Sequence, residues 1–213
     1  MKKIFIVLIS ILKFDNSYSQ EYYSAIDSTI ASFALADGDW IIALNIEQSG
    51  IVPQFDSLGN SISSTDPNGS FIFTKLNNRY NLQRLDWIYV NEQSVLKMGK
   101  PISISDKVIQ LYTTDSILKA EKEWIYPYIY KNDSLNVYDI QYRGSHSPSF
   151  RIIFRTKQTM FLKRFDDVDI FASLKIFSSE NLNYPRNAQI FTYRSFMKLL
   201  EVIEKKLGVT VLY

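Results

Sequence analysis

Between Trp40 and Phe165 the chain is a succession of short apolar runs, each closed by a cluster of turn-forming residues, and this rhythm limits its fold most. Trp40–Glu47, Ser70–Leu76, Arg79–Val90, Gln93–Met98, Lys107–Thr113, Trp124–Tyr130, Leu135–Tyr142, Phe150–Thr156 and Thr159–Phe165 read as strands. In Ser70–Leu76 the alternation is plain, with Phe71 and Phe73 on one side and Ile72 and Thr74 on the other. The breaks fall at Ser49-Gly50, Ser57-Leu58-Gly59-Asn60, Asp66-Pro67-Asn68-Gly69, Asn77-Asn78, Gly99-Lys100-Pro101, Asn132-Asp133-Ser134, Arg143–Ser149 and Lys157-Gln158. Short strands with a turn signal about every 8–12 residues belong to antiparallel sandwiches and barrels. The 14 Tyr and 14 Phe agree, because aromatic side chains pack well on a pleated, half-buried surface. Within Arg79–Val90 the spacing of Tyr80, Leu82 and Leu85 predicts a bulge or bend, and Ile170–Phe177 reads as one more strand.

Helices are expected at both ends of this β region. Tyr22, Ile26, Ile30 and Phe33 recur three or four residues apart, one face of a helix over Glu21–Ala36 that Asp37-Gly38 terminates. Phe196, Leu199, Leu200, Ile203 and Leu207 line a second helix capped by Gly208, with a terminal strand at Val209–Tyr213. Asp115–Glu123 is long enough for a short helix. The fold class is therefore mainly β, an antiparallel barrel or sandwich with an N-terminal and a C-terminal helix.

The first residues point to export. Lys2-Lys3, the apolar run Ile4–Leu12 and the small residues of Ser17-Tyr18-Ser19 are the charged region, apolar region and cleavage site of a secretory signal, in order. The expected cut before Gln20 makes residues 1–19 the signal and 20–213 a single β-rich domain. The apolar run is far shorter than the roughly 20 residues that span a bilayer, so no transmembrane anchor is expected after cleavage. With no cysteine there is no acyl-accepting residue, so the expectation is a periplasmic or extracellular protein that is not a lipoprotein. Without cysteine, stability must also come from the core rather than from disulfides.

Charge excludes one class. Losing Lys2, Lys3, Lys13 and Asp15 with the signal takes the basic count from 24 to 21 and the acidic count from 22 to 21. A domain this near neutrality, with no basic run, lacks the electrostatic footprint of a nucleic-acid binder.

Nor does chemistry assemble. His146, the lone histidine, lies in Arg143-Gly144-Ser145-His146-Ser147-Pro148-Ser149, without the strained Gly-x-Ser-x-Gly turn that presents a nucleophilic serine. A zinc site would need three carboxylates beside it. Asp166-Asp167-Val168-Asp169 could offer oxygens to calcium, but its spacing is not an EF-hand loop, and it reads as a solvated acidic turn. Asp37 and Asp39 read as helix-end and turn residues. No catalytic residue, metal site or cofactor is expected, and an enzyme is the weaker reading.

Gly38-Asp39-Trp40, placed after a helix and opening the first strand, resembles the Gly-x-Trp signature of lipocalins and their calycin relatives. Asp66-Pro67-Asn68-Gly69-Ser70-Phe71 and the closing helix and strand are also similar to that family's bacterial members. The resemblance implies an eight-stranded up-and-down barrel, with Gly38 allowing a tight turn and Trp40 plugging one end. It implies a cavity for a small apolar ligand, lined by Trp87 and Tyr89 if their shared face points inward, and an arginine, Arg164 or Arg194, stacked on Trp40. Ten strands rather than eight, and no Thr-Asp-Tyr signature, depart from the family. The alternative is a structural or protein-interaction domain of the bacterial envelope, with a filled core, an envelope protein as partner, and a Tyr-rich surface at Tyr126, Tyr128, Tyr130, Tyr138 and Tyr142.

Overall fold

The computed structural model describes residues 24–48, 69–90, 93–105, 107–110, 112–132, 137–140, 148–170, 173–174 and 179–209. Its centre is β1 (Trp40–Gln48), which pairs antiparallel with β2 (Gly69–Leu76) on one side and β8 (Pro148–Thr156) on the other. Outward from β2 follow β3 (Arg79–Val90) and β4 (Gln93–Met98), and outward from β8 follows β9 (Met160–Asp166). With β5 (Ile102–Ser103) on β3, these form a seven-stranded antiparallel sheet. The strand path is open among the described residues, with β4 and β9 as its ends.

Two-residue turns set the register. Asn77 and Asn78 both have positive φ, 50° and 62°, the conformation that lets a two-residue turn match the twist of its strands. Asparagine tolerates it better than most residues. At the β8–β9 turn, Thr156 N–H donates to the Thr159 carbonyl at 2.8 Å, and Thr156 Oγ1 accepts the N–H groups of Gln158 and Thr159.

The irregularity expected in Arg79–Val90 lies instead on its partner. β3 runs unbroken for 12 residues. Leu85 pairs with Met98 while Leu82 pairs with Ile102, so three steps on β3 face four on the edge strand. The extra residue is absorbed at Gly99-Lys100-Pro101, a bulge. Glycine suits the close approach at position 99, since a Cβ would lie 3.0 Å from the Arg84 carbonyl oxygen.

Alternation gives the sheet two buried faces. Trp40, Ile42, Leu44 and Ile46 point to an aromatic face shared with Phe71, Phe73, Phe150, Ile152, Phe154 and Phe165. Helical segments cover it, chief among them α2 (Lys107–Gln110), α3 (Thr114–Glu121) and α6 (Phe191–Leu207). From α6 come Phe196, Leu199, Leu200 and Ile203, and Phe196 meets the rings of Phe150 and Phe165 at 4.7 and 4.9 Å. Ile41 and Ala43 point the other way, to an aliphatic face with Ile72, Leu85 and Ile153. There Ile26 and Ile30 of helix α1 (residues 24–32) complete the layer.

Both terminal helices form where the apolar spacing places them, and Gly208 caps α6 with φ 66°, but α1 ends at Ser32, short of the expected Ala36. Three expected strands do not form as drawn. Lys107–Gln110 is a helical turn, followed at Thr113 by the capping box of α3. A short apolar run cannot separate helix from strand by itself, and here packing of Ile109 under the aromatic face decides. In Trp124–Tyr130 only the end is extended, as β6 (Ile129–Asn132) paired with β7 (Val137–Ile140). The run beginning at Ile170 opens instead with the end of the helical turn α4 (Asp167–Ile170), then β10 (Ser173–Leu174), paired with β11 (Ser179–Glu180). The helical turn α5 (Tyr184–Asn187) precedes α6. The proposed terminal strand from Val209, of which only Val209 is described, otherwise lies outside the described residues.

Candidate functional site

Each residue of Gly38-Asp39-Trp40 has a separate structural task. Gly38 takes φ 84°, which lets the chain turn from the segment after α1 into β1. Its carbonyl accepts a bond from Lys75 Nζ at 3.1 Å. Asp39 is buried, and its carboxylate accepts the backbone N–H groups of Ala36 at 3.1 Å and Asn77 at 3.0 Å. One carboxylate thus ties the approach to β1 to the β2–β3 turn. Trp40 is fully buried at the start of β1, against the rings of Tyr80 and Tyr112 at 6.2 and 5.7 Å.

From Trp40 a chain of polar and aromatic contacts reaches α6. Trp40 Nε1 donates to the Tyr112 carbonyl at 3.0 Å, and Tyr112 Oη donates to the Ser195 carbonyl at 3.0 Å. Tyr112 also meets Phe191 edge-on at 5.8 Å. Burial raises the Tyr112 phenol far above its ordinary range, so it stays a neutral donor. Nothing in this corner is built to react. It is a fully bonded plug that holds α6 against the end of the sheet. Arg164 and Arg194, the candidates for stacking on Trp40, are both exposed, and tyrosines take that place.

At its start α6 has no cap of its own: Ile190 precedes it and supplies no side-chain bond. Glu123, just past α3, does so from a distance. Its carboxylate accepts the N–H groups of Phe191 and Thr192 at 2.9 and 2.7 Å and the Thr192 hydroxyl at 2.9 Å. A negative charge on unsatisfied N–H groups at a helix start is favourable both as a hydrogen bond and against the dipole. Lys163 on β9 donates to the carbonyls of Glu121 and Glu123 at 2.7 and 2.6 Å. Burial lowers its pKa, and the charges of Glu123 and Glu121 offset part of that.

The same contacts bring a large apolar side chain to the edge of the sheet. Trp124 follows Glu123 and is 68% exposed. On the edge strand β9, Met160 and Leu162 are 43% and 46% exposed. Of the tyrosines expected at the surface, Tyr128 is buried and Tyr126 is half-buried under the Arg186 guanidinium, 3.5 Å from its ring, while the side chains of Tyr130 and Tyr138 lie outside the described residues. Asn187 holds their loop, accepting from Tyr126 N–H at 2.9 Å and donating to the carbonyls of Tyr126 and Asp169.

Trp87 and Tyr89, the expected ligand-contacting residues, lie on β3 opposite Leu96 and Ser94, and their side chains are outside the described residues. His146, Tyr142 and the Asp66–Asn68 stretch are also outside them. The acidic run after Phe165, expected as a solvated turn, enters the helical turn α4, and its Asp169 is partly buried and accepts the N–H groups of Tyr128 and Asp166 at 2.8 and 3.0 Å. Among the described residues no group of three His, Asp or Glu is placed to hold a metal ion. Asp39, Tyr112 and Glu123 are the residues sequence reasoning missed. Only Asp39 carried a local signal, its place beside a glycine before a strand. Comparison with known proteins returns no match: no family, no curated sequence and no solved structure is similar to this chain.

Proposed function

We propose that this chain is an exported interaction domain of the bacterial envelope, built on a filled core and meeting a partner protein along the β9 edge. Lys2-Lys3, Ile4–Leu12 and Ser17-Tyr18-Ser19 support export. The observation that carries the interaction reading is Trp124, a tryptophan left largely exposed where Lys163 ties its loop to the edge strand β9, whose opposite face exposes Met160 and Leu162. Tryptophan offers large contact area with few rotatable bonds and anchors interfaces more often than most residues. A sheet edge adds unpaired backbone groups that a partner can meet.

A second reading, a lipocalin-like binder of a small apolar ligand, is favoured by Trp40, buried behind Gly38 at the start of an antiparallel meander. It requires the β4 and β9 edges to close into a barrel and Trp87 and Tyr89 to face a cavity. Against it, the face that carries Trp40 is occupied by side chains of α2, α3 and α6.

Three measurements separate the readings. A photo-reactive cross-linker at position 124 or 162, in cells exporting the protein, is expected to trap one envelope protein. The Trp124→Ala variant, with unchanged folding, is expected to lose any interaction measured with that protein. Titration of the mature domain with fatty acids is expected to leave its melting temperature unchanged. Micromolar binding with a raised melting temperature would establish the second reading instead.

A further inference from the structure

On the aliphatic face the layer of Ile41, Ala43, Ile72 and Ile153 gives way to a polar row: Ser70 on β2, Asn45 on β1 and Arg151 on β8 stand directly opposite one another. Asn45 is only 1% exposed, yet neither its Nδ2 nor its Oδ1 has a hydrogen-bond partner. A side-chain amide offers two donors and two acceptor lone pairs, and leaving both ends dry is costly. Nor does strand propensity favour asparagine, which is depleted in strands.

Helix α1 lies over this face. Ile26 and Ile30 bury against it, Asp27 takes both its carboxylate oxygens to Arg151 Nη2 at 2.9 and 2.7 Å, and Arg155 donates to the Ile30 carbonyl. Whatever meets the amide must therefore fit beneath a docked helix, so it is small. It must also both donate and accept, because both ends of the amide are unmet.

We propose that Asn45 holds one ordered water molecule, enclosed between the sheet and helix α1 and bridging the amide to the polar row. Directly opposed residues on neighbouring antiparallel strands have Cβ atoms roughly 4.5–5.5 Å apart, which leaves Ser70 and Arg151 within reach of a water bound to Asn45. A buried water with two to four polar partners is the usual way a native fold satisfies such a group. The position is independent of the partner-binding reading, since it lies on the aliphatic face under α1 and not around Trp124.

The test is nuclear magnetic resonance of the mature domain, labelled on the asparagine side-chain amides. Cross-peaks between the Asn45 Nδ2 protons and a long-lived water are expected, and they should be absent in Asn45→Val. The wild-type measurement stands even if that variant fails to fold. Absence of the water cross-peaks in the folded wild type overturns the proposal. So does native mass spectrometry showing a small molecule, released on denaturation, whose protons contact that amide in place of water.

Discussion

The two faces of the sheet are sealed in different ways. On the aromatic face, phenylalanine and tryptophan from four strands meet Phe196, Leu199 and Ile203 of α6 in a continuous apolar layer. Its polar contacts, Trp40 to Tyr112 to Ser195 and Glu123 to the start of α6, are all made. On the aliphatic face the layer is thin, and helix α1 is fastened at its margin by Asp27–Arg151 and by Arg155 to Ile30. Buried apolar area is worth about 25 cal/mol per Å², so the aromatic face carries more of the stability. An ion pair with a partly exposed partner adds little. The two terminal helices are thus unequal: α6 is part of the core, while α1 is a separable cover.

The largest expected effect is on the aromatic face. Trp40→Ala should cost about 3–5 kcal/mol, because it empties a fully buried site and abandons the bond to Tyr112. Urea denaturation checks this, and a loss below about 1 kcal/mol would break the comparison. Next comes the distant cap: Glu123→Ala should cost about 0.5–2 kcal/mol and loosen the first turn of α6. Glu123→Gln should recover part of that, since one amide oxygen can still accept. Smaller still, Asp27→Ala should cost about 1 kcal/mol, with hydrogen exchange faster in residues 24–32 and unchanged in α6. Equal acceleration in both helices would show that α1 and α6 open together.

The last effect is absent at neutral pH and visible only in alkali. Burial, reinforced by the neighbouring Tyr184, pushes the Tyr193 phenol up to about 12 from its ordinary 10.0. Between those values the unfolded chain releases its proton while the folded chain keeps it. The contribution is therefore complete below pH 10 and lost as pH rises towards 12. Tyr112 shifts in the same direction. In Tyr193→Phe the fall in melting temperature across that range should be shallower, and an unchanged slope would assign the alkaline loss elsewhere.

Legibility followed how local each cause is. β1, the Phe71–Phe73 alternation of β2, the Asn77-Asn78 and Lys157-Gln158 turns and both terminal helices could be read, because each rests on neighbouring residues. Lys107–Gln110 could not, because four residues favour neither helix nor strand until something packs on them. In the candidate sites, Trp40 was visible as the opening of a strand, whereas its polar partner Tyr112 sits 72 residues away and no spacing announces it. Trp124 looked like a strand residue, and only its exposure in the folded chain made it a candidate anchor.

By itself, then, the sequence determined a mainly β chain of short antiparallel strands with a helix near each end, since alternation, turn chemistry and the 3.6-residue period act within a few residues. Tertiary structure alone decided that β8 lies beside β1, that α6 fills the aromatic face while α1 covers the other, and that Glu123 caps a helix 68 residues on. Those outcomes depend on which apolar surfaces can be buried together and which backbone groups then need partners, and both are properties of the folded whole.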